Sequence, residues 1–176
     1  MSELAATSCH FIVSSEALVA ILDYIIGQTI TPGLLLLPAR MDGRGARLML
    51  LAIGLQESRF QYRRQIKGPA RGFWQFEKNG GVRGVLTHAT TKAAAIGVCR
   101  ERSVGPNESA VHAALEKDDL LACAFARLLL YSDPRPLPAP GEVANSWDCY
   151  LRNWRPGKPH RGSWDELYMH AREALD

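Results

Sequence analysis

Apolar positions recur along most of the chain at helical spacing, every third or fourth residue, rather than alternating as in strands. Ser14 or Ser15 can cap a helix from Glu16 to Ile26, with Gly27 as its stop and Thr31-Pro32-Gly33 as a break behind it. Asp42 can cap the next helix, roughly Arg44 to Phe60. The stretch from Gly68 to Gly84 carries five glycines and Pro69, and reads as loops, turns or short strands. Helical spacing returns near Thr90–Arg102 and Glu108–Glu116. Asp118 or Asp119 then opens a strongly apolar helix that runs to Tyr131 and stops before Pro134. Alternating Pro134, Pro136, Pro138 and Pro140 predict a stiff extended loop resembling polyproline II. Glu142–Trp154 reads as another helix, and Ser163-Trp164-Asp165-Glu166 has the form of a capping box for the last one. No internal repeat, heptad array or low-complexity tail interrupts this pattern. The expectation is a mainly α fold in a single domain spanning 1–176.

Composition agrees with that expectation. With 176 residues, 47% hydrophobic and 22% charged, the chain has the profile of one globular domain. A formal charge of +3 permits nucleic acid, an anionic membrane surface or an acidic polymer as partner, but no Lys or Arg run selects among them. Cys9, Cys99, Cys123 and Cys149 are widely spaced and form no C-x-x-C pair, so free thiols and synthesis in a reducing compartment are expected. No basic segment precedes an apolar one at the start, so no signal peptide is expected. The apolar stretch Ala17–Ile26 is interrupted by Asp23, and Leu34–Leu37 lies between Pro32 and Pro38. Neither reaches the roughly 20 residues of a membrane span, so no transmembrane segment is expected.

Chemistry concentrates in two segments. Within Leu50–Phe60 (LLAIGLQESRF), Leu50, Ile53, Gly54 and Glu57 fall on one helical face. A carboxyl group at the end of an apolar stripe is desolvated and stays protonated to higher pH, as a general acid requires. On this reading Gly54 removes a side chain that would crowd the carboxyl group. The plainer reading is a solvated helix-end glutamate paired with Arg59, Arg63 or Arg64. The second segment, Arg71–Glu77 (RGFWQFE), sets Phe73, Trp74 and Phe76 around Gln75, with Gly72 allowing close approach. Sugar rings present apolar faces and a rim of hydroxyls, so aromatic platforms around an amide suit a carbohydrate cleft. An aromatic cluster is also ordinary core.

Together these segments resemble the lysozyme-like superfamily, particularly lytic transglycosylases and phage enzymes that degrade cell wall, such as endolysins and virion-associated lysozymes. The matching residues are Glu57-Ser58-Arg59-Phe60 and Gly72-Phe73-Trp74-Gln75, with Gln75 eighteen positions after Glu57. The resemblance implies a lysozyme-like fold with a short loop or small β-hairpin region around 61–84. It makes Glu57 the catalytic acid/base, with Ser58, Phe73, Trp74 and Gln75 binding the sugar. In the family's later Tyr-Asn pair the best match is Tyr150, although Asn153 follows three residues on rather than directly. Tyr150, Asn153 and Trp154 serve equally well as packing residues. Glu77 is the candidate second carboxylate: a hydrolase normally employs two, whereas a lytic transglycosylase, by the same resemblance, uses one. Glu77 paired with Lys78 or Arg83 on the surface is the alternative.

Other chemistries lack their residues. The five histidines, His10, His88, His112, His160 and His170, form no H-x-x-x-H pair for zinc. No nucleophile elbow or phosphate-binding loop is present. His88 either borders the cleft or lies on the surface, and Arg71 either meets a peptide-stem carboxylate or braces its loop. The expected partner is the glycan strand of bacterial peptidoglycan, with no cofactor, no metal, no nucleic acid and a monomeric state. The resemblance implies a protein held in the host cytoplasm until released to the wall, or carried in a virion. A non-catalytic wall-binding or structural virion protein of the same fold is the alternative.

Overall fold

A computed structural model describes residues 14–176. The expectations for Cys9 and His10 lie outside the described residues. Helix α1 (Ser15–Ile25) starts where Ser14 Oγ accepts the Ala17 N–H at 3.2 Å. It does not stop at Gly27. A π turn over Ile26–Ile30 carries the helical path onward into α2 (Thr31–Leu35). The wide turn lets the Thr31 N–H reach the Ile26 carbonyl. Pro32 then falls at the opening of α2, where a missing N–H costs little. The helical run Ser15–Leu35 therefore has 21 residues and a mean hydropathy of 1.5, long and apolar enough by length and composition to cross a membrane. This corrects the expectation of two short apolar stretches. Part of the run is core: Leu22, Ile25, Ile30 and Leu34 are buried, and α2 packs on α7 (Asp119–Ser132).

Helix α3 (Arg44–Ser58) is buried almost all round, from Leu48 to Leu55. Asp42 does not cap it. Its carboxylate instead holds Arg47 through two bonds of 2.8 and 2.7 Å, and Gly43 occupies the cap position without a side-chain bond. Two left-handed residues, Arg59 and Phe60 (φ 54° each), end α3 before Phe60 and fold the Phe60 ring back against Gly54. A Cβ at Gly54 would lie 2.2 Å from that ring. Gly54 thus makes room for Phe60 rather than for the Glu57 carboxyl group.

The segment after α3 forms a narrow hairpin-like loop with two isolated antiparallel bridges, Arg64 with Arg71 and Arg71 with Phe76. No longer strand occurs among the described residues. The end of the glycine-rich stretch is helical: a π turn over Lys78–Val82 leads into α4 (Arg83–Thr87). Arg71 braces the loop by donating to the Pro69 and Ala70 carbonyls and pairing with Glu116 at 2.9 Å. Arg63 ties it to the start of α7 through two bonds to Asp119, while its guanidinium lies 4.1 Å from the Phe73 ring centre.

Helices α5 (Lys92–Glu101) and α6 (Glu108–Ala114) lead to α7, with Asn107 and Asp118 as side-chain caps of α6 and α7. Residues Leu121 to Leu130 of α7 are buried without a break, the pattern of a helix at the centre of a core. Each large apolar side chain there contributes roughly 1.5–3 kcal/mol. Helices α8 (Val143–Trp154) and α9 (Arg161–Glu173) close the structure, with α9 packed on α3 and α8. The capping box does not form. Helix α9 starts two residues before Ser163, whose Oγ bonds Gln56 Oε1 and the His160 carbonyl, both at 3.2 Å. Cys99, Cys123 and Cys149 are buried free thiols.

The contact at Gly54 is testable. Gly54→Ala should destabilise the fold by about 1–3 kcal/mol through overpacking against Phe60, read as a lower thermal midpoint. A midpoint equal to the parent's would refute the crowding.

Candidate active site

Helix α3 delivers Glu57 to its last turn, where the apolar stripe ends at the edge of a cleft. The cleft has a volume of about 610 Å³ and is lined by Glu57, Gln65, Gln75, Glu77, Asn153 and Trp154, among others. Burial pushes the Glu57 carboxyl up to about 7, against a partial lowering by one hydrogen bond from Tyr150. That bond runs from the Tyr150 hydroxyl to Glu57 Oε1 at 2.7 Å. Glu57 makes no ion pair with Arg59, Arg63 or Arg64. Arg63 and Arg64 pair instead with Asp119 and Glu116.

Tyr150 is itself buried and held by aromatic packing. Its ring lies 5.2 Å from Trp164 at an interplanar angle of 18° and 6.4 Å from Trp154 at 30°. Trp147 closes a third side at 5.2 Å. Burial and the neighbouring Glu57 both push the phenol upward, so it stays a neutral donor. The role expected for Tyr150 was sugar binding; the structure places its hydroxyl on the carboxyl group.

Phe73 and Trp74 are core residues, with exposures of 2% and 0%, and offer no platform to a ligand. Trp74 donates its indole N–H to the Leu50 carbonyl at 2.9 Å, and its own carbonyl accepts the Trp154 indole N–H at 2.9 Å. It therefore fastens the loop to α3 on one side and to α8 on the other. Ser58 is also withdrawn from the cleft: its hydroxyl donates to the Gly54 carbonyl at 3.2 Å and accepts the Phe60 N–H at 3.1 Å. Burial and these two bonds make it a brace for the end of α3.

Gln75 does line the cleft, in a left-handed backbone conformation (φ 49°). Its Nε2 is committed to the Gly72 carbonyl at 2.9 Å, which leaves Oε1 as the group offered to a ligand. Asn153 is arranged alike. Its Nδ2 donates to the Cys149 carbonyl at 2.8 Å and to Asp133 at 3.3 Å, leaving Oδ1. The cleft thus presents acceptors suited to N–H and O–H donors. Glu77 lines the same cleft but is exposed, with no ion pair to Lys78 or Arg83 among the described residues. His88 is exposed and bonded to Thr90 at 2.9 Å, away from the cleft lining.

The aromatic side chain that does face the cleft, beside Phe76, is Trp154. Tyr150, Asn153 and Trp154 follow the i, i+3, i+4 rule along α8, and that spacing is the signal for one functional face. No group of three or more metal-binding side chains occurs among the described residues. Comparison with protein-family models, with characterised proteins and with solved structures finds no match to this chain.

The raised carboxyl has a consequence for stability. Folded protein holds this proton more tightly than the unfolded chain, so stability falls as pH rises from 4.5 to about 7. Glu57→Gln removes the titration and keeps an acceptor for Tyr150. The variant should exceed the parent by about 3 kcal/mol above that window and match it below the window. Thermal melts at roughly pH 4 and pH 8 check this, and equal midpoints at the higher pH would contradict it.

Proposed function

We propose that the protein is a peptidoglycan-degrading muramidase with a lysozyme-like fold, acting on the β-1,4 bond between N-acetylmuramic acid and N-acetylglucosamine. One observation carries the reading: a carboxyl group that remains protonated near neutral pH stands in an open cleft beside an aromatic face and two amide acceptors. The mainly α architecture, with that glutamate in the last turn of a buried helix and a narrow loop opposite, supports the fold assignment.

Glu57 protonates the bridging oxygen as the glycosidic bond breaks, and becomes a carboxylate. The Tyr150 hydroxyl then donates to a full negative charge, which stabilises the carboxylate at the moment it forms. Gln75 and Asn153 accept from the acetamido N–H and hydroxyls of the strand, and Trp154 covers an apolar sugar face. Glu57 alone is sequestered, while Glu77 stands in solvent, which favours the route with one carboxylate. On that route the Glu57 carboxylate takes the proton of the sugar's own 6-hydroxyl, whose oxygen closes a 1,6-anhydro ring on the muramic acid.

Glu57→Gln should lower release of soluble muropeptides from purified wall by at least ~10²-fold with an unchanged circular dichroism spectrum. Release at the parental rate would end the assignment, and wall binding without release by the parent would leave only a wall-binding protein. Because the acid acts protonated, the parental rate should decline as pH rises through about 7. A rate that keeps climbing beyond neutrality excludes this role for Glu57. Mass spectrometry of the fragments should show anhydro ends, with Glu77→Gln retaining activity within about tenfold of the parent. Reducing muramic ends together with an inactive Glu77→Gln would assign hydrolysis instead.

A further inference from the structure

Cations that face the hollows around Glu57 differ from several others of the chain in what they hold. Arg63, Arg71, Arg102 and Arg152 each hold a carboxylate within 3.1 Å. Arg59, Arg155 and Lys158 have no carboxylate partner among the described residues. Two of the three share the cleft of the acid, and Arg59 follows Glu57 by two residues at the end of α3. Arg155 and Lys158 line its cleft. Arg59 lines a second hollow of about 500 Å³ together with Gln56, His160 and Arg161.

One loop joins the two hollows. The segment linking α8 to α9 reads Arg155-Pro-Gly-Lys158-Pro-His160 and runs into Arg161 at the start of α9, three cations and no acid over seven residues. Its residues line the cleft as far as Lys158 and the second hollow from Pro159 onward. Pro156 and Pro159 restrict the backbone of the loop. Gln56, next to Glu57 in α3, anchors its far end by donating to the His160 carbonyl at 3.1 Å. Arg161 is paired with Asp165, and Glu77 is the one cleft carboxylate besides Glu57, so the cations lining these two hollows without an ion pair are Arg59, Arg155 and Lys158. Burial also lowers the Arg59 pKa, against a weaker opposing influence of Glu166.

We propose that this loop and Arg59 form a cationic strap that grips the carboxylates of the peptide stems projecting from the glycan strand. The strap selects stem-bearing wall over neutral glycan, and it rests on the reading of the cleft as a wall-glycan site. Stems leave the strand at every muramic acid, so a cleft that seats the glycosidic bond at Glu57 brings the neighbouring stems toward the loop. Arg71, the other cation weighed for this role, is spent on Glu116 and its own loop.

The test compares phosphate-free wall strands with the same strands after conversion of their carboxylates to methylamides. Binding by sedimentation and release of soluble fragments are both measured, for the parent, Lys158→Glu and Lys158→Ala. The parent should bind the native strands at least ~10-fold more tightly than the amidated ones, a preference weakened by salt. Lys158→Glu should abolish the preference and Lys158→Ala reduce it, with unchanged thermal midpoints. Equal parental affinity for the two strands, or a full preference retained by Lys158→Glu, overturns the strap. Fragment release separates the two readings: release from both strands without preference sinks the strap alone. Preference without any release sinks the glycosidase reading and leaves the strap standing.

Discussion

Everything around the cleft depends on one carboxyl group being kept dry at the end of a helix that is otherwise core. Helix α3 can bury Leu48 to Leu55 only because α7 and α9 enclose it, and the same enclosure strips water from Glu57 in its last turn. A helix C-terminus carries partial negative charge, so its dipole opposes ionisation there as burial does. The Tyr150 hydroxyl pulls the other way by favouring the charged form. Their balance near neutrality gives a group that can release a proton and take one back.

That balance requires the phenol to stay in place, and aromatic packing holds it. Trp164 from α9 stacks on Tyr150, Trp154 extends the stack to the cleft, and Phe76 meets Trp154 from the loop at 6.1 Å. Trp74 joins the same system through its two backbone hydrogen bonds, one toward α3 and one toward α8. Buried hydrogen-bonded aromatics in contact leave few alternative arrangements. Acid, donor and aromatic wall are therefore positioned by one connected set of side chains drawn from α3, α8, α9 and the loop.

The helices were legible in the sequence because apolar spacing reports burial directly, and α5 to α8 appear close to their expected bounds. Glu57 was legible for the same reason, since an acid in register with Leu50 and Ile53 has to approach the core edge. Local signals failed where another partner competed for the same atoms. Asp42 had Arg47 available, and Ser163 had Gln56, so neither became a cap. Pro32 looked like a break because a π turn cannot be read from spacing alone. Phe73 and Trp74 looked like sugar platforms because aromatic composition does not reveal which side of a loop faces inward. The aromatic wall came instead from Trp154, whose position depends on how α8 meets the loop, a contact between residues 80 apart in the chain.

Backbone conformation shows what the arrangement costs. Among the described residues, six other than glycine adopt left-handed angles, and Arg59, Phe60, Gln75 and Arg155 all belong to segments around the cleft. Arg59 terminates α3 two residues after Glu57, and Arg155 terminates α8 directly after Trp154. A left-handed glycine would end either helix with less strain. An arginine at each end stops the helix at the same point and also leaves a cation beside the cleft or its neighbouring hollow. Strain held at functional positions is stable only when the surroundings overdetermine it, and here the buried stack and the clamped loop supply that constraint. The two helices that carry the acid and the aromatic wall are thus stopped by residues that also set cations at the cleft and its neighbouring hollow, so helix termination and the charge of these hollows draw on the same two positions.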